Sequence, residues 1–228
     1  MHIIFPRACF CCSADIARGD ANPLCPSCMK DLKPVHGLIC RRCGLPLKYG
    51  GAYCHNCRKN KKFKCGFIRS SLQFTPPSRA LVHAFKYGGY IHLSKFFAPL
   101  MYKTLRQNPE FFEAEWLVPV PIHKSKKRGR GFNQSLLLAQ DLSRLCGVPC
   151  AQLLARKVKT KSQTSLNRKE RLENIKNTFV CAGETAVKGS AIILIDDVCT
   201  TSATLEECAR VLKKAGAREV LALTALRE

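Results

Sequence analysis

Beyond residue 66 the apolar positions fall into two alternating rhythms. Ile192, Ile193, Leu194 and Ile195 form a short continuous apolar run, the pattern of a parallel strand covered on both faces. After Thr204, Leu205, Cys208, Ala209 and Leu212 recur at helical spacing, and Gly216 stands where a C-terminal cap belongs. The same reading predicts helices over 78–87, 92–106 and Gln134–Leu145. The second of these carries Leu93, Phe96, Phe97, Leu100 and Met101, and the third sets Leu138, Leu142 and Leu145 on one face. Strands are predicted at Trp116–Val120, 150–154, 178–181, 191–195 and 219–225. Strands alternating with helices imply an α/β fold with a mainly parallel sheet.

Residues 1–66 have too few periodic apolar positions to fold by burial alone. They hold 10 of the chain's 15 cysteines, eight of them in four CxxC pairs: Cys9/Cys12, Cys25/Cys28, Cys40/Cys43 and Cys54/Cys57. A CxxC turn offers two soft ligands, and zinc takes four in a tetrahedron, so the pattern predicts two four-cysteine structural zinc sites. Spacers of 12 and 10 residues inside the first and second halves favour sequential pairing, with an interleaved pairing left open. Cys11 is an alternative to Cys9, and His55 a minor rival in the last knuckle. Full thiolate coordination leaves no open position for catalysis, and short CxxC loops do not suit a disulfide scaffold. At 228 residues the chain has room for one or two domains. The change of pattern divides it into a zinc module over 1–66 and an α/β domain over 67–228.

Charge narrows the partners. The chain carries 38 Lys and Arg against 16 Asp and Glu, a net +22. Two zinc-tetrathiolate sites would lower this only to roughly +18. An excess of that size implies polyanionic partners or substrates. No apolar run approaches the roughly 18 residues that span a bilayer, and the N-terminal residues lack a signal peptide's apolar stretch, so a cytoplasmic protein is expected.

Chemistry concentrates where the apolar strand ends. Asp196 and Asp197 follow Ile195, and Thr200, Thr201, Ser202, Ala203 and Thr204 open the next helix. Paired carboxylates suit a ribose diol, and hydroxyls at a helix N-terminus suit a phosphate. The segment resembles the signature of type I phosphoribosyltransferases, which bind phosphoribosyl pyrophosphate (PRPP). That resemblance implies that Asp196 and Asp197 face the ribose hydroxyls and that Thr200 to Thr204 wrap the 5′-phosphate. The usual loop has glycine where this chain has Ser202, which removes backbone freedom there.

A second basic element lies between a strand and a helix. Lys124, Lys126, Lys127, Arg128 and Arg130 are five cations in seven residues, suited to a pyrophosphate. The string Arg130-Gly131-Phe132-Asn133-Gln134-Ser135 follows. With the preceding Val118-Pro119-Val120-Pro121, the later Ile195-Asp196-Asp197-Val198-Cys199-Thr200-Thr201 and the four CxxC pairs, the chain resembles the ComF/GntX family. That family joins an N-terminal zinc finger to a phosphoribosyltransferase-like domain and is tied to natural competence. The resemblance implies a type I phosphoribosyltransferase-like fold preceded by a small zinc-ribbon module. It makes Pro119 to Arg130 the pyrophosphate loop, with Lys124, Lys126, Arg128 and Arg130 as its cations. It also places Gln163, Arg171 and Asn174 in a flexible loop that closes over substrate.

Two functions are compatible with these features. One is PRPP binding coupled to the handling of incoming single-stranded DNA during transformation, with a helicase partner implied by the family. Tyr49, Tyr53, Phe63 and Phe67, interleaved with cations, could stack bases. The other is an active phosphoribosyltransferase whose zinc module is purely structural, with Mg2+ bridging pyrophosphate and ribose. No side chain stands out as a nucleobase-recognition residue or a base, so the acceptor is unread.

Overall fold

The computed structural model describes residues 7–17, 22–60, 63–157 and 175–228. Gln163, Arg171 and Asn174 lie outside the described residues, as does the side chain of Lys126. The elements run β1 (Arg7–Ala8), β2 (Asp15–Ile16), α1 (Pro26–Lys30), α2 (His55–Lys59), β3 (Ile68–Gln73), α3 (Pro76–Tyr87) and α4 (Leu93–Arg106). They continue with β4 (Trp116–Pro119), α5 (Lys124–Arg130), α6 (Gln134–Cys146), β5 (Leu154–Arg156), β6 (Phe179–Cys181), α7 (Glu184–Val187), β7 (Ala191–Cys199), α8 (Ala203–Lys214) and β8 (Glu219–Arg227).

The central sheet is four-stranded and parallel throughout, in the order β3-β8-β7-β4. Side chains along β7 alternate between two cores. Ile193 and Ile195 join Leu81, Phe85, Phe97, Met101, Leu138 and Leu142 of α3, α4 and α6 on one face. Ile192 and Leu194 join Leu205, Cys208, Ala209 and Leu212 of α8 on the other, where Leu154 and Phe179 of the antiparallel β5-β6 pair also pack. The continuous apolar run is therefore explained by burial on both sides.

Four helices and four strands arise close to their predicted positions, and the differences are informative. The predicted strand at 150–154 splits: Cys150 bridges Leu117, while β5 begins only at Leu154 and pairs with β6. β7 runs past Ile195 to Cys199, so the acid pair lies within the strand and not at the start of a loop. The basic stretch is not a loop: residues 124–130 form α5, capped by the His123 ring accepting from the Ser125 amide at 3.1 Å and closed by left-handed Gly131. β3 has a mixed polar sequence that periodicity does not pick out.

The cysteine-rich third is stitched to this sheet. Pro34 bridges Leu72 in antiparallel fashion, with Val35 donating to Ser71 O at 3.0 Å and Gln73 to Lys33 O at 2.8 Å. The outer edge of β3 is thereby covered, which removes a row of unpaired backbone groups. The two cysteine knuckles share one design. Ser13 follows Cys12 at φ 62° and Gly44 follows Cys43 at φ 66°, each in the left-handed region. Only the second requires glycine for space as well, since a Cβ on Gly44 would lie 2.6 Å from Ile68 O. Gly44→Ala should therefore lower stability by about 2 kcal/mol or more in denaturant titration, whereas Ser13→Gly should change it by less than about 1 kcal/mol.

Candidate functional site

Eight cysteines meet in two sets. Cys9, Cys12, Cys25 and Cys28 bring their sulfurs within 4.8 Å of one another, and so do Cys40, Cys43, Cys54 and Cys57. The grouping is sequential, with Cys9 and not Cys11 in the first set, and His55 outside the second. Cys12 and Cys25 sulfurs are 3.7 Å apart, as are those of Cys43 and Cys54. Four sulfurs at about 2.3 Å from a zinc ion have edges of about 3.8 Å, close to the pair measured in each set, so both sets fit a structural Zn2+. Burial would raise these thiols, but backbone N–H groups outweigh it at two of them, lowering Cys9 to about 6 and Cys40 to about 7. In each set the third cysteine, Cys25 or Cys54, is the N-cap of a short helix.

The second site lies at the C-terminal end of β7. Asp196, Asp197, Thr200, Thr201, Ser202, Ala203 and Thr204 all line one pocket of about 530 Å3, together with Arg79, His83, Lys86 and Tyr87 from α3. This is where ligands sit in open parallel sheets, beyond the carboxyl ends of the strands. Each acid has its own partner. Asp197 pairs with Lys86 Nζ at 2.8 Å, and Asp196 accepts from Ser135 Oγ at 2.8 Å and from the Asp197 amide at 2.9 Å. Burial, followed by the charge of Asp197, pushes Asp196 up to about 7 despite those donors and Lys86. Burial also opposes the charge on Lys86, but Asp197 and then Asp196 outweigh it and raise its pKa.

The hydroxyl segment is shorter as a loop than the sequence suggests. Only residues 200–202 are non-helical, and α8 starts at Ala203. Ser202 takes φ 67° and ψ 0°, in the left-handed region that favours glycine. For a non-glycine residue this costs roughly 1–2 kcal/mol. Ser202 Oγ lies 3.6 Å from Cys199 Sγ, while Thr200, Thr201 and Thr204 are half-buried in the pocket lining.

The string at 130–135 acts as a clamp on this site. Asn133 caps α6 by accepting from the Ser135 amide and returns to β4 through Nδ2 to Val120 O, both at 3.1 Å. Arg130 donates to Gln134 Oε1 at 3.2 Å and stacks over the Tyr87 ring at 4.8 Å. Gln134 Nε2 is buried with no partner among the described residues. Of the other predicted pyrophosphate cations, Lys124 and Arg128 are exposed on α5. Lys86, Ser135 and Tyr87 were not singled out from the sequence. Ser135 lies in a motif that was recognised, whereas nothing local marks Lys86 in the last turn of α3.

Two parts of the chain match known protein families. Residues 1–58 match the double zinc ribbon domain and residues 133–227 the phosphoribosyl transferase domain. Fold and cysteine sites together define a type I phosphoribosyltransferase-like protein with an N-terminal double zinc ribbon. Competence protein F of Haemophilus influenzae is 31% identical over 204 residues, which span 87% of this chain and 88% of that protein. Competence protein ComFC of Bacillus subtilis is 31% identical over 213 residues, 90% of this chain and 84% of the relative. DNA utilization protein YhgH of Salmonella typhimurium is 30% identical over 221 residues, 94% of each. The chain belongs to the ComF family.

The raised pKa of Asp196 sets a sign for pH dependence. The folded chain holds a proton on Asp196 up to about pH 7, whereas the unfolded chain releases it near the ordinary value of 3.8. The folded state binds more protons across that window, so this carboxyl reduces stability as pH rises from about 4 to about 7. Urea titrations at pH 5 and pH 8 should show a smaller loss of stability in Asp196→Asn than in the unmodified protein.

Proposed function

We propose that this protein binds PRPP and couples that site to the handling of single-stranded DNA taken up during natural transformation. The observation that carries the first half is the convergence of Asp196, Asp197, Thr200, Thr201 and Thr204 on one pocket at the N-terminus of a 12-residue helix. In this reading the two carboxylates accept hydrogen bonds from the ribose hydroxyls. The amides and hydroxyls of Thr200 to Thr204 hold the 5′-phosphate, favoured by the helix dipole. Lys124, Lys126, Arg128 and Arg130 attract the pyrophosphate from α5. Mg2+ bound with the ligand would supply charge neutralisation at the pyrophosphate and ribose oxygens. Lys86, paired with Asp197 at 2.8 Å, positions that carboxylate in the pocket.

The second half rests on charge, on relatives named for competence and DNA utilization, and on a groove. A cavity of about 800 Å3 is lined by Phe10, Phe74, Arg79, His83, Tyr87 and Tyr90, among others, and shares Arg79, His83 and Tyr87 with the PRPP pocket. Tyr87 and Tyr90 are exposed, and Phe10 meets Tyr90 edge-on with centroids 4.6 Å apart. Exposed rings beside cations suit stacked bases on a phosphate backbone. The aromatic residues expected from the sequence lie apart from this groove: Tyr53 and Phe63 sit under Arg42, Phe67 packs between Arg69 and Phe111, and Tyr49 and Tyr53 are exposed. A helicase partner follows from the family alone. Among the described residues no helix is long and apolar enough to cross a membrane.

Calorimetry with PRPP and Mg2+ should show binding that is lost in Asp196→Asn and Asp197→Asn. Unchanged affinity in both would move the site elsewhere. Anisotropy with labelled single-stranded DNA should show affinity that falls steeply with salt. Tyr87→Ala and Tyr90→Ala should each weaken it by roughly 1–3 kcal/mol, the contribution of one stacked base. Salt-independent binding, or tyrosine variants that bind normally, would remove the DNA half. Pyrophosphate release from PRPP, screened across nucleobases, distinguishes turnover from binding alone.

A further inference from the structure

Thr201 and Ser202 form a partition between two cavities. On one side lies the candidate PRPP pocket, and on the other a cavity of about 420 Å3 walled in part by Cys43, Cys54, Cys57 and Arg227. Arg227 spans this second cavity from the end of β8. Its side chain is buried, and its Nε donates to Cys43 O at 3.1 Å while Nη2 lies 3.6 Å from Cys43 Sγ. Its Nη1 donates to the carbonyls of Cys199 at 2.7 Å and Thr200 at 2.6 Å. One planar fork therefore grips the backbone of a zinc knuckle and the backbone of the hydroxyl loop. A lysine offers no such fork.

A second tie runs in parallel. Glu206, in the first turn of α8, accepts the amides of Lys64 at 2.8 Å and Cys65 at 3.1 Å. The chain leaving the second ribbon is thus pinned to the helix that the loop opens. The first ribbon packs elsewhere, with Cys9, Cys25 and Cys28 in the core shared with α3 and α4.

We propose that Arg227 is a positioning residue that makes the second zinc site a structural part of the phosphate loop. Zinc held by Cys40, Cys43, Cys54 and Cys57 fixes one end of the fork, and the fork fixes the carbonyls that precede Thr201 and Ser202. The left-handed turn at Ser202 is held in place by that anchorage. Coupling of this kind is reciprocal: a ligand in the loop protects the knuckle, and loss of the second zinc loosens the loop. What the loop holds rests on the PRPP reading above, but the link between loop and zinc does not.

Hydrogen–deuterium exchange on the zinc-loaded full chain tests the link. In Arg227→Lys, amides of 40–44 and 199–204 should exchange faster together, by about fivefold or more, the low end for coupled sites, while 25–29 of the first site stay unchanged. A change in only one of the two segments, in neither, or uniformly across the sheet would overturn the proposal. Two arms use the unmodified chain, so a variant that fails to fold does not decide the matter. Removal of zinc by a chelator should raise exchange at 199–204, and unchanged exchange there overturns the link. Adding PRPP with Mg2+ should slow exchange at 40–44 as well as at 199–204. If PRPP binds and 40–44 do not respond, the link is wrong. If PRPP does not bind at all, the PRPP reading fails, and the other two arms alone decide the link.

Discussion

A buried guanidinium ties the second cysteine knuckle to the hydroxyl loop of the α/β domain. Arg227 carries a full charge where water is scarce, which is tolerable only because its N–H groups have partners. Those partners are the carbonyls of Cys43, Cys199, Thr200 and Glu228, with the Cys43 sulfur beside them. Burial works against its charge, but the attraction of Cys199 and Cys43 outweighs it and raises its pKa. Truncating the side chain would take a charged donor away from these carbonyls, and hydrogen bonds to a charged group are the stronger ones. The contact joins the second ribbon to the end of β8 and to the chain from Cys199 to Thr200, alongside the tie from Glu206 to the Lys64 and Cys65 amides.

The acid pair presents the complementary problem. Adjacent carboxylates repel, and the fold answers by giving each a different neighbour. Asp197 receives the Lys86 ammonium from α3, and Asp196 receives a neutral hydroxyl from α6. One carboxylate thereby gains an ion pair, while burial and its acidic neighbour push the other, Asp196, up to about 7. The clamp formed by Arg130, Asn133, Gln134 and Ser135 supports this arrangement. It returns the chain to β4, stacks on Tyr87 and aims a hydroxyl at the acid.

Much of this was legible in the residues because the signals are local. The four CxxC pairs, the apolar run before Asp196 and the helical stripe after Thr204 each carry their structure within a dozen residues. The contacts that assemble the site are not local. Lys86 and Asp197 are far apart in sequence, and Cys43 and Arg227 span most of the chain. Neither Lys86 nor Arg227 has a neighbour pattern that marks it. The basic stretch was misread as a loop because its helix has no apolar face to betray it. Ser202 shows the limit of residue rules: it takes a glycine conformation just after two carbonyls, of Cys199 and Thr200, that Arg227 holds.

The strand order carries a consequence for how the molecule is made. β8 lies between β3 and β7, although it comes later in the chain than any other strand of the sheet. During synthesis the ribbons can take up zinc and α3 to α6 can form while the sheet still lacks its middle. Until residues 219–227 emerge, β3 has nothing to pair with on its inner side and the hydroxyl loop has no anchor. The nascent protein can thus acquire its metals long before it acquires its pocket, and the last-made strand is the one that joins them.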